Sequence, residues 1–117
     1  MKIIAKMVYS MHWKMEFLND RVRIELEAFP TDIVASFLRI VKLIELEGPA
    51  KVHEPYVKHL EGPIWEMRMR GRDGIARAAY VTASGHRIVV LHVFRKKTQK
   101  TPRRDIEIAL RRAKDVR

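Results

Sequence analysis

Apolar residues in the first half of the chain recur mostly at the spacing of helices. A short segment before them, Trp13–Leu18, predicts a strand. A first helix follows and ends at Pro30, and its N-cap is either Asn19 or Asp20. A second helix ends at Gly48-Pro49, and its apolar stripe contains Ile33, Phe37, Ile40 and Ile44. Because the connection between the two helices is short, they are predicted to form an antiparallel hairpin.

The second half of the chain changes to the alternating period of strands. From Trp65 to Arg70 the alternation is unbroken, which places the tryptophan and two methionines on one face and Glu66, Arg68 and Arg70 on the other. Thr101 is expected to cap a last helix, with Pro102 at its first position. The other predicted strands are Tyr56–Glu61, Ile75–Thr82 and Arg87–Phe94, separated by turns at Gly62-Pro63, Gly71–Gly74 and Ser84-Gly85.

This order of elements defines an α+β fold class. A strand and a helical hairpin precede an antiparallel β-meander and a C-terminal helix, and the helices are expected on one face of the sheet. The length of 117 residues is typical of a single domain. Residues 1–10 either extend the first strand or form an N-terminal extension, since Met11 could itself begin the domain.

Composition and motifs exclude several classes of site. There is no cysteine, so disulfides and thiolate metal sites are excluded. The histidines lack the spacing of metal ligands, and no nucleotide-loop or hydrolase signature occurs. Neither a metal nor another cofactor is therefore expected. No apolar run approaches the ~20 residues that span a bilayer, so we expect a cytoplasmic protein without a membrane partner.

The net charge of +10 is concentrated in one part of the chain. Residues 74–104 contain eight basic residues and no acidic one, whereas the rest of the chain is nearly balanced. Solubility alone does not require such a concentration of charge. It indicates an anionic partner, and RNA is the anion we expect.

Strand register determines which charged residues share a face. Two turns are possible at Gly71–Gly74, and they pair Arg77 with either Arg68 or Arg70; both put the three arginines on one face. A two-residue turn at the next hairpin pairs Arg77 with His92 and adds the histidine. Like charges that face each other destabilise a sheet, so a bound phosphate is expected among them. The alanines around Arg77 leave space for it. The alternative is an ordinary solvated outer face.

The segment Arg95–Thr101 is a basic loop that leads into the last helix. Helix N-termini present free N–H groups to anions, and the lysines add positive charge. The alternative interpretation is a solvated charge run without a ligand.

Four segments carry a resemblance to a known family. The chain resembles the RelE/ParE superfamily of type II toxins, in particular its phage-derived, HigB-like branch, over residues 13–115. The segments are Tyr56–Gly62, Trp65–Arg70, Asp73–Tyr80 and, most specifically, Val89–Pro102.

The resemblance implies a RelE-like fold and an mRNA endonuclease that cuts on the ribosome and so inhibits translation. It also implies a cognate antitoxin of helix-turn-helix type. By position, Arg68 and Arg77 match basic residues of the family's active-site face. Lys96 and Lys97 match its basic loop.

Metal-independent RNA cleavage uses the 2′-OH of the substrate as nucleophile. Arginines suit the phosphate because they keep their charge, and histidine can transfer protons near neutral pH. We therefore expect Arg68, Arg77 and His92 to be catalytic, with Glu66 as a possible base. The expected RNA- or ribosome-binding residues are Arg70, Arg95, Lys96, Lys97 and Lys100. The alternatives are a non-enzymatic, ParE-like inhibitor of a protein such as DNA gyrase, and a plain nucleic-acid-binding module.

Overall fold

A computed structural model describes residues 12–117, in which the elements follow the predicted order. They are β1 (Lys14–Phe17), α1 (Asp20–Glu27), α2 (Thr31–Glu47), a 3-10 turn (Pro49–Lys51), β2 (Val57–Glu61), β3 (Ile64–Gly71), β4 (Gly74–Ala83), β5 (Arg87–Arg95) and α3 (Arg103–Ala113). The prediction for residues 1–10 lies outside the described residues. Within the part that is described, no helix is long and apolar enough to cross a membrane.

The strands form one five-stranded sheet in the order β1-β5-β4-β3-β2. The four strands from β2 to β5 pair with their sequence neighbours in an antiparallel meander, as predicted. β1 pairs with β5 and runs parallel to it, from Lys14 opposite Arg87 to Phe17 opposite Val90. The α+β prediction with a helical hairpin and a C-terminal helix is thus confirmed.

The helices lie on both faces of the sheet, so the prediction that they share one face is wrong. α1 and α2 bury their apolar stripes against the face that carries Met67, Met69 and Tyr80. α3 packs on the opposite face, where Ala109 is buried among residues such as Leu91. The physical reason is that β4 and β5 present apolar side chains in both directions, and each face needs a cover.

The β3–β4 hairpin has the first of the two registers considered. Arg68 lies opposite Arg77 and Arg70 lies opposite Ile75, while Gly71 pairs with Gly74. The three arginines therefore share one face, and Met67 lies on the other, as the alternation predicted. The alternative register, with Arg70 opposite Arg77, is wrong.

The β4–β5 hairpin differs from the prediction in two ways that compensate for each other. Its turn has three residues, because Ala83 pairs with Arg87 rather than with His86. An irregularity between Ala79 and Tyr80 then shifts the register by one more residue. Arg77 consequently lies opposite Phe94, so the predicted pair of Arg77 with His92 is wrong.

His92 nevertheless lies on the face of Arg77, as expected. It is opposite Ala79, which is two residues from Arg77 along β4. Residues two apart in a strand point in the same direction. Each shift moves the pairing by one residue, so together they move it by two. His92 therefore remains on the face that was predicted.

The N-terminus of α2 docks on the β3–β4 turn. The Asp32 carboxylate accepts hydrogen bonds from the backbone N–H groups of Ile33 (2.8 Å) and Arg72 (2.6 Å). Gly71 lies so close to this helix that a Cβ there would be 2.8 Å from the Ile33 side chain. This contact places α2 beside the arginine end of β3.

We predict that Gly71→Ala lowers the free energy of unfolding by about 1–3 kcal/mol, because the added methyl overlaps Ile33. Urea denaturation measures the change. In an Ile33→Ala background the same substitution should cost less, since the Ile33 atoms that overlap are gone and only the Asp32 Oδ1 remains, at 2.9 Å. Equal costs in both backgrounds would contradict this close approach.

Candidate nucleic-acid interface

Three cations lie at one end of the sheet face that α3 covers, two on β3 and one at the end of β5, with β4 between them. Arg68 and Arg70 alternate along β3, and the backbone N–H of Lys96 extends the pairing of β5 by donating to Ile75 (2.9 Å). Arg70 is exposed, and Arg68 and Lys96 are half-buried. Within residues 12–117, none of the three forms an ion pair with a carboxylate. We call these three residues the open basic cluster.

The charges of this cluster act on one another. Desolvation lowers the pKa of the Lys96 ammonium, and the positive charges of Arg77, Arg68 and Arg70 lower it further. The negative charge of Glu66 acts in the opposite direction but does not outweigh them. A bound anion would relieve this repulsion. The cluster is therefore a local concentration of positive charge on this face of the sheet.

Arg77 lies beneath the basic loop and is only 1% exposed. Its guanidinium donates to the Thr101 hydroxyl (2.5 Å) and to the Gln99 carbonyl (2.8 Å). Burial is the largest influence on its pKa, which is lowered. The space expected above Arg77 is thus filled by residues 99–101, because a buried guanidinium requires hydrogen-bond acceptors.

Glu66 shares the face of Arg77, but it too is buried. Its carboxylate lies 3.5 Å from the Arg77 Nε and accepts a hydrogen bond from the Thr101 hydroxyl (2.7 Å). The carboxylate balances the charge of Arg77 and holds the loop through Thr101. Its surroundings favour a structural role over that of the base expected from the sequence.

Thr101 does not cap α3, contrary to prediction. The helix begins at Arg103, Pro102 occupies the N-cap position, and no side chain caps the helix there. The Thr101 hydroxyl instead accepts from Arg77 and donates to Glu66. A hydroxyl can do both at once, so it bridges the buried charges.

His92 is turned towards the helices and is 8% exposed. Its Nε2 lies 2.8 Å from the Asp105 carboxylate of α3, and its Nδ1 lies 3.4 Å from the Glu25 carboxylate of α1. The ring also stacks on Phe94. Both ring nitrogens therefore face acidic partners from helices on opposite sides of the sheet.

Glu25 is the centre of a charged cluster that sequence reasoning missed. Its carboxylate accepts from the Arg112 guanidinium (3.1 Å) and from the Val93 backbone N–H (3.0 Å). Arg112 also donates to the Leu91 carbonyl (2.8 Å). These contacts satisfy backbone groups of β5 beyond the end of β1. No sequence pattern indicates such a role, because it depends on where β1 stops pairing.

The remaining expected binding residues lie along the loop. Arg95 is exposed and its guanidinium lies 5.6 Å from the centre of the Phe29 ring. Lys97 and Lys100 are exposed, and neither forms an ion pair among the described residues. The loop thus carries further positive charge beside the open basic cluster.

A groove adjoins the cluster at the edge of β3, with a volume of ≈ 340 Å³. Arg68 and Arg70 line it, together with Arg39 of α2 and Tyr56 at the start of β2. Sequence reasoning did not select Arg39 or Tyr56. The helical spacing placed Arg39 outside the apolar stripe, but only the docking of α2 shows that it lies beside β3. No group of three or more possible metal ligands occurs between residues 12 and 117.

A mixed sheet with helices on both faces defines a small α+β protein, and the open basic cluster lies on one face of that sheet. A comparison with family models matches residues 24–114 to the family described as phage-derived protein Gp49-like (DUF891). The chain belongs to this family, which is a family of RelE-like toxins. No curated protein matches the chain significantly.

We predict that Thr101→Val destabilises the fold by about 1–3 kcal/mol, because Glu66 and Arg77 each lose a buried hydrogen bond. Thr98→Val is the matched control in the same loop, where the hydroxyl donates at the surface to the Lys100 carbonyl. Its effect should stay within about 0.5 kcal/mol. Equal losses in urea denaturation would contradict the bridging role.

A second prediction concerns pH. Burial raises the pKa of Glu25, but the hydrogen bonds from His92 and Val93 and the charge of Arg112 outweigh it and lower the pKa overall. A lowered folded-state pKa contributes stability above the unfolded value of about 4.3, and this stability is lost as pH falls through the folded-state pKa. Glu25→Gln should therefore destabilise the protein by about 1–3 kcal/mol at pH 7.

The difference in stability between wild type and Glu25→Gln should become smaller as the pH falls below about 4. Glu27→Gln is the control on the same helix, since its ion pair with Arg23 is exposed and contributes little. Thermal unfolding at several pH values measures both. A gap that is independent of pH would contradict the role of the Glu25 charge.

Proposed function

We propose that the protein is the toxin of a toxin–antitoxin pair and that it inhibits translation as a metal-independent endoribonuclease. The observation that carries the proposal is the open basic cluster, in which Arg68, Arg70 and Lys96 have no carboxylate partner within the described residues. Membership of a family of RelE-like toxins supports the same function. The HigB-like branch remains part of the proposal and rests on the four sequence segments.

In the proposed reaction, the 2′-oxygen of the substrate attacks the adjacent phosphorus. A bond forms between the 2′-oxygen and phosphorus, and the bond from phosphorus to the 5′-oxygen breaks. The products are a 2′,3′-cyclic phosphate and a 5′-hydroxyl. Arg68 and Arg70 bind the non-bridging oxygens, where negative charge develops in the transition state.

We assign the proton that reaches the leaving 5′-oxygen to Lys96. It lies across β4 from both arginines on the same sheet face, and its lowered pKa favours the donation of a proton. The proton of the 2′-OH passes to solvent water. The sequence hypothesis gave proton transfer to His92, whose ring nitrogens instead face Asp105 and Glu25.

Arg77 acts as a positioning residue in this proposal. It is buried under the loop, so it supports Lys96 and the arginines from below rather than contacting the substrate. Glu66 neutralises it. Lys97, Lys100 and Arg95 are exposed around the cluster and would bind more distant phosphates or the ribosome.

The proposed partners follow from this chemistry. The substrate is mRNA on the ribosome, which places the protein in the cytoplasm. The cognate antitoxin, of helix-turn-helix type, neutralises the toxin. Induction of the toxin with and without the adjacent gene tests this pairing, and equal growth in both cultures would count against it.

We predict that Arg68→Ala slows mRNA cleavage on translating ribosomes by about 10²–10³, because one charge on the developing phosphorane is lost. The fold should persist, since Arg68 is half-buried and has no carboxylate partner in the described part of the chain. Arg21→Ala, an exposed change on α1, is the control and should cut like wild type. Circular dichroism checks folding, and analysis of product ends identifies the cyclic phosphate.

Three outcomes of this experiment would overturn the endonuclease proposal. Growth arrest without RNA cleavage would indicate a non-enzymatic inhibitor of a protein target. RNA binding without cleavage or growth arrest would indicate a plain binding module. Unchanged cleavage by folded Arg68→Ala would remove the open basic cluster from the active site.

A further inference from the structure

The groove beside the open basic cluster exists because β2 starts late relative to β3. Their pairing begins at Val57 opposite Met67, and the Arg68 backbone N–H donates to the Tyr56 carbonyl (2.9 Å). Beyond this point no strand among residues 12–117 pairs with β3 on that side. The Arg70 backbone N–H donates instead to the Ser36 hydroxyl of α2 (3.1 Å). A cleft opens between the helix and the start of β2.

The lining of the groove combines apolar and cationic groups. Ile40 and Leu43 of α2 form an apolar side, which Pro55 and Tyr56 face. The cationic residues of the lining are Arg39, Arg68 and Arg70. Its volume of ≈ 340 Å³ is at the lower end of the range for small-ligand pockets, ~300–1,000 Å³.

Tyr56 is 48% exposed, which is high for a large aromatic side chain beside arginines. An exposed ring offers a face on which a base of single-stranded RNA can stack. Arginine guanidinium groups can contact phosphate and can also stack on bases. A nucleotide needs both kinds of contact.

The two arginines of β3 connect the groove with the open basic cluster. Arg68 and Arg70 line the groove and also share a sheet face with Lys96, from which β4 separates them. A strand whose scissile phosphate lies at these arginines therefore passes the mouth of the groove with an adjacent nucleotide. An acidic peptide would satisfy the charges of the three arginines but would not use the exposed ring in this way.

We propose that this groove binds the base of a nucleotide adjacent to the scissile phosphate, with Tyr56 stacked on the base and Arg39 on its backbone phosphate. The inference rests on the proposed function, because it takes single-stranded RNA as the ligand. It adds a recognition site to the cluster. It also assigns roles to two residues that lie outside the sheet face.

The test measures binding of a short single-stranded oligonucleotide with 2′-O-methyl groups, which lacks the nucleophile and cannot be cut. Tyr56→Ala should weaken binding about 5- to 100-fold, and Tyr56→Phe should bind like wild type because stacking is retained. With an oligonucleotide that is abasic at the position next to the bound phosphate, wild type and Tyr56→Ala should bind alike. A series of oligonucleotides, each abasic at a different position, identifies the nucleotide whose base occupies the groove.

Arg39→Ala should weaken binding and reduce the slope of log affinity against log salt by about 0.7, the value for one phosphate contact on a single strand. Lys42→Ala is the matched control, since this exposed cation lies on the same helix but lines a different depression. It should leave both the affinity and the slope nearly unchanged. Equal effects of the two substitutions would overturn the proposal by showing only a general effect of charge.

The failures of the two proposals are distinguishable. If wild type binds and cuts RNA while Tyr56→Ala and Arg39→Ala match it, the groove proposal alone is overturned. If wild type neither binds nor cuts RNA, the proposed function is overturned, and the groove proposal that rests on it is overturned as well. If the groove variants keep RNA affinity but lose the antitoxin, the occupant is a peptide, and the nucleotide proposal is overturned.

Discussion

The structure of the sheet face that α3 covers depends on a buried ion pair between the neighbouring strands β3 and β4. Arg77 and Glu66 are each 1% exposed, and Thr101 hydrogen-bonds to both. Burying one charge without its partner costs several kcal/mol, so the pair stays buried only with its hydrogen bonds in place. The basic loop supplies them, and its course over the sheet is therefore set by the charges underneath.

The basic residues of the segment 74–104, which contains no acidic residue, fall into two groups. Several of its arginines pair with carboxylates from elsewhere in the chain, as Arg87 does with Glu16 and Arg103 with Glu61. The lysines of the loop have no such partner among the described residues. Some of the basic residues of this segment thus form ion pairs with acidic residues elsewhere in the chain. The positive charges of the loop lysines are available to an external anion.

The alternation in β3 and β4 was sufficient to predict which residues share a face, because it depends only on strand period. Arg77 shows the limit of that reasoning. Period assigns its side chain to a face, but its burial depends on a loop more than 20 residues later in the chain. His92 was assigned to the right face through a wrong pairing, since turn length and bulge changed the register in steps that cancelled.

In the candidate site, too, some residues could be selected from local sequence patterns, whereas others depend on contacts between distant parts of the chain. Arg68, Arg70 and Lys96 could be selected because they lie in a strand or a charge-rich segment. Arg39 could not, because it adjoins the cluster only after α2 docks on the β3–β4 turn. Tyr56 could not, because its place beside Arg68 depends on the register of β2 with β3. Glu25 depends on the point where β1 stops pairing with β5. The helices were expected on one face of the sheet, and that prediction failed because it did not take into account the apolar residues that β4 and β5 present on the other face.

The parallel pairing of β1 with β5 has a consequence for the order in which the chain folds during synthesis. Lys14 lies opposite Arg87, so the first described strand has to wait for the last one before it gains its neighbour. Loop closure over such a separation is slow, and strands made early cannot complete the sheet alone. Lys96 and Thr101 are translated later still. A nascent chain therefore completes its basic surface only after the residues up to Thr101 have been made, long after the residues of β1.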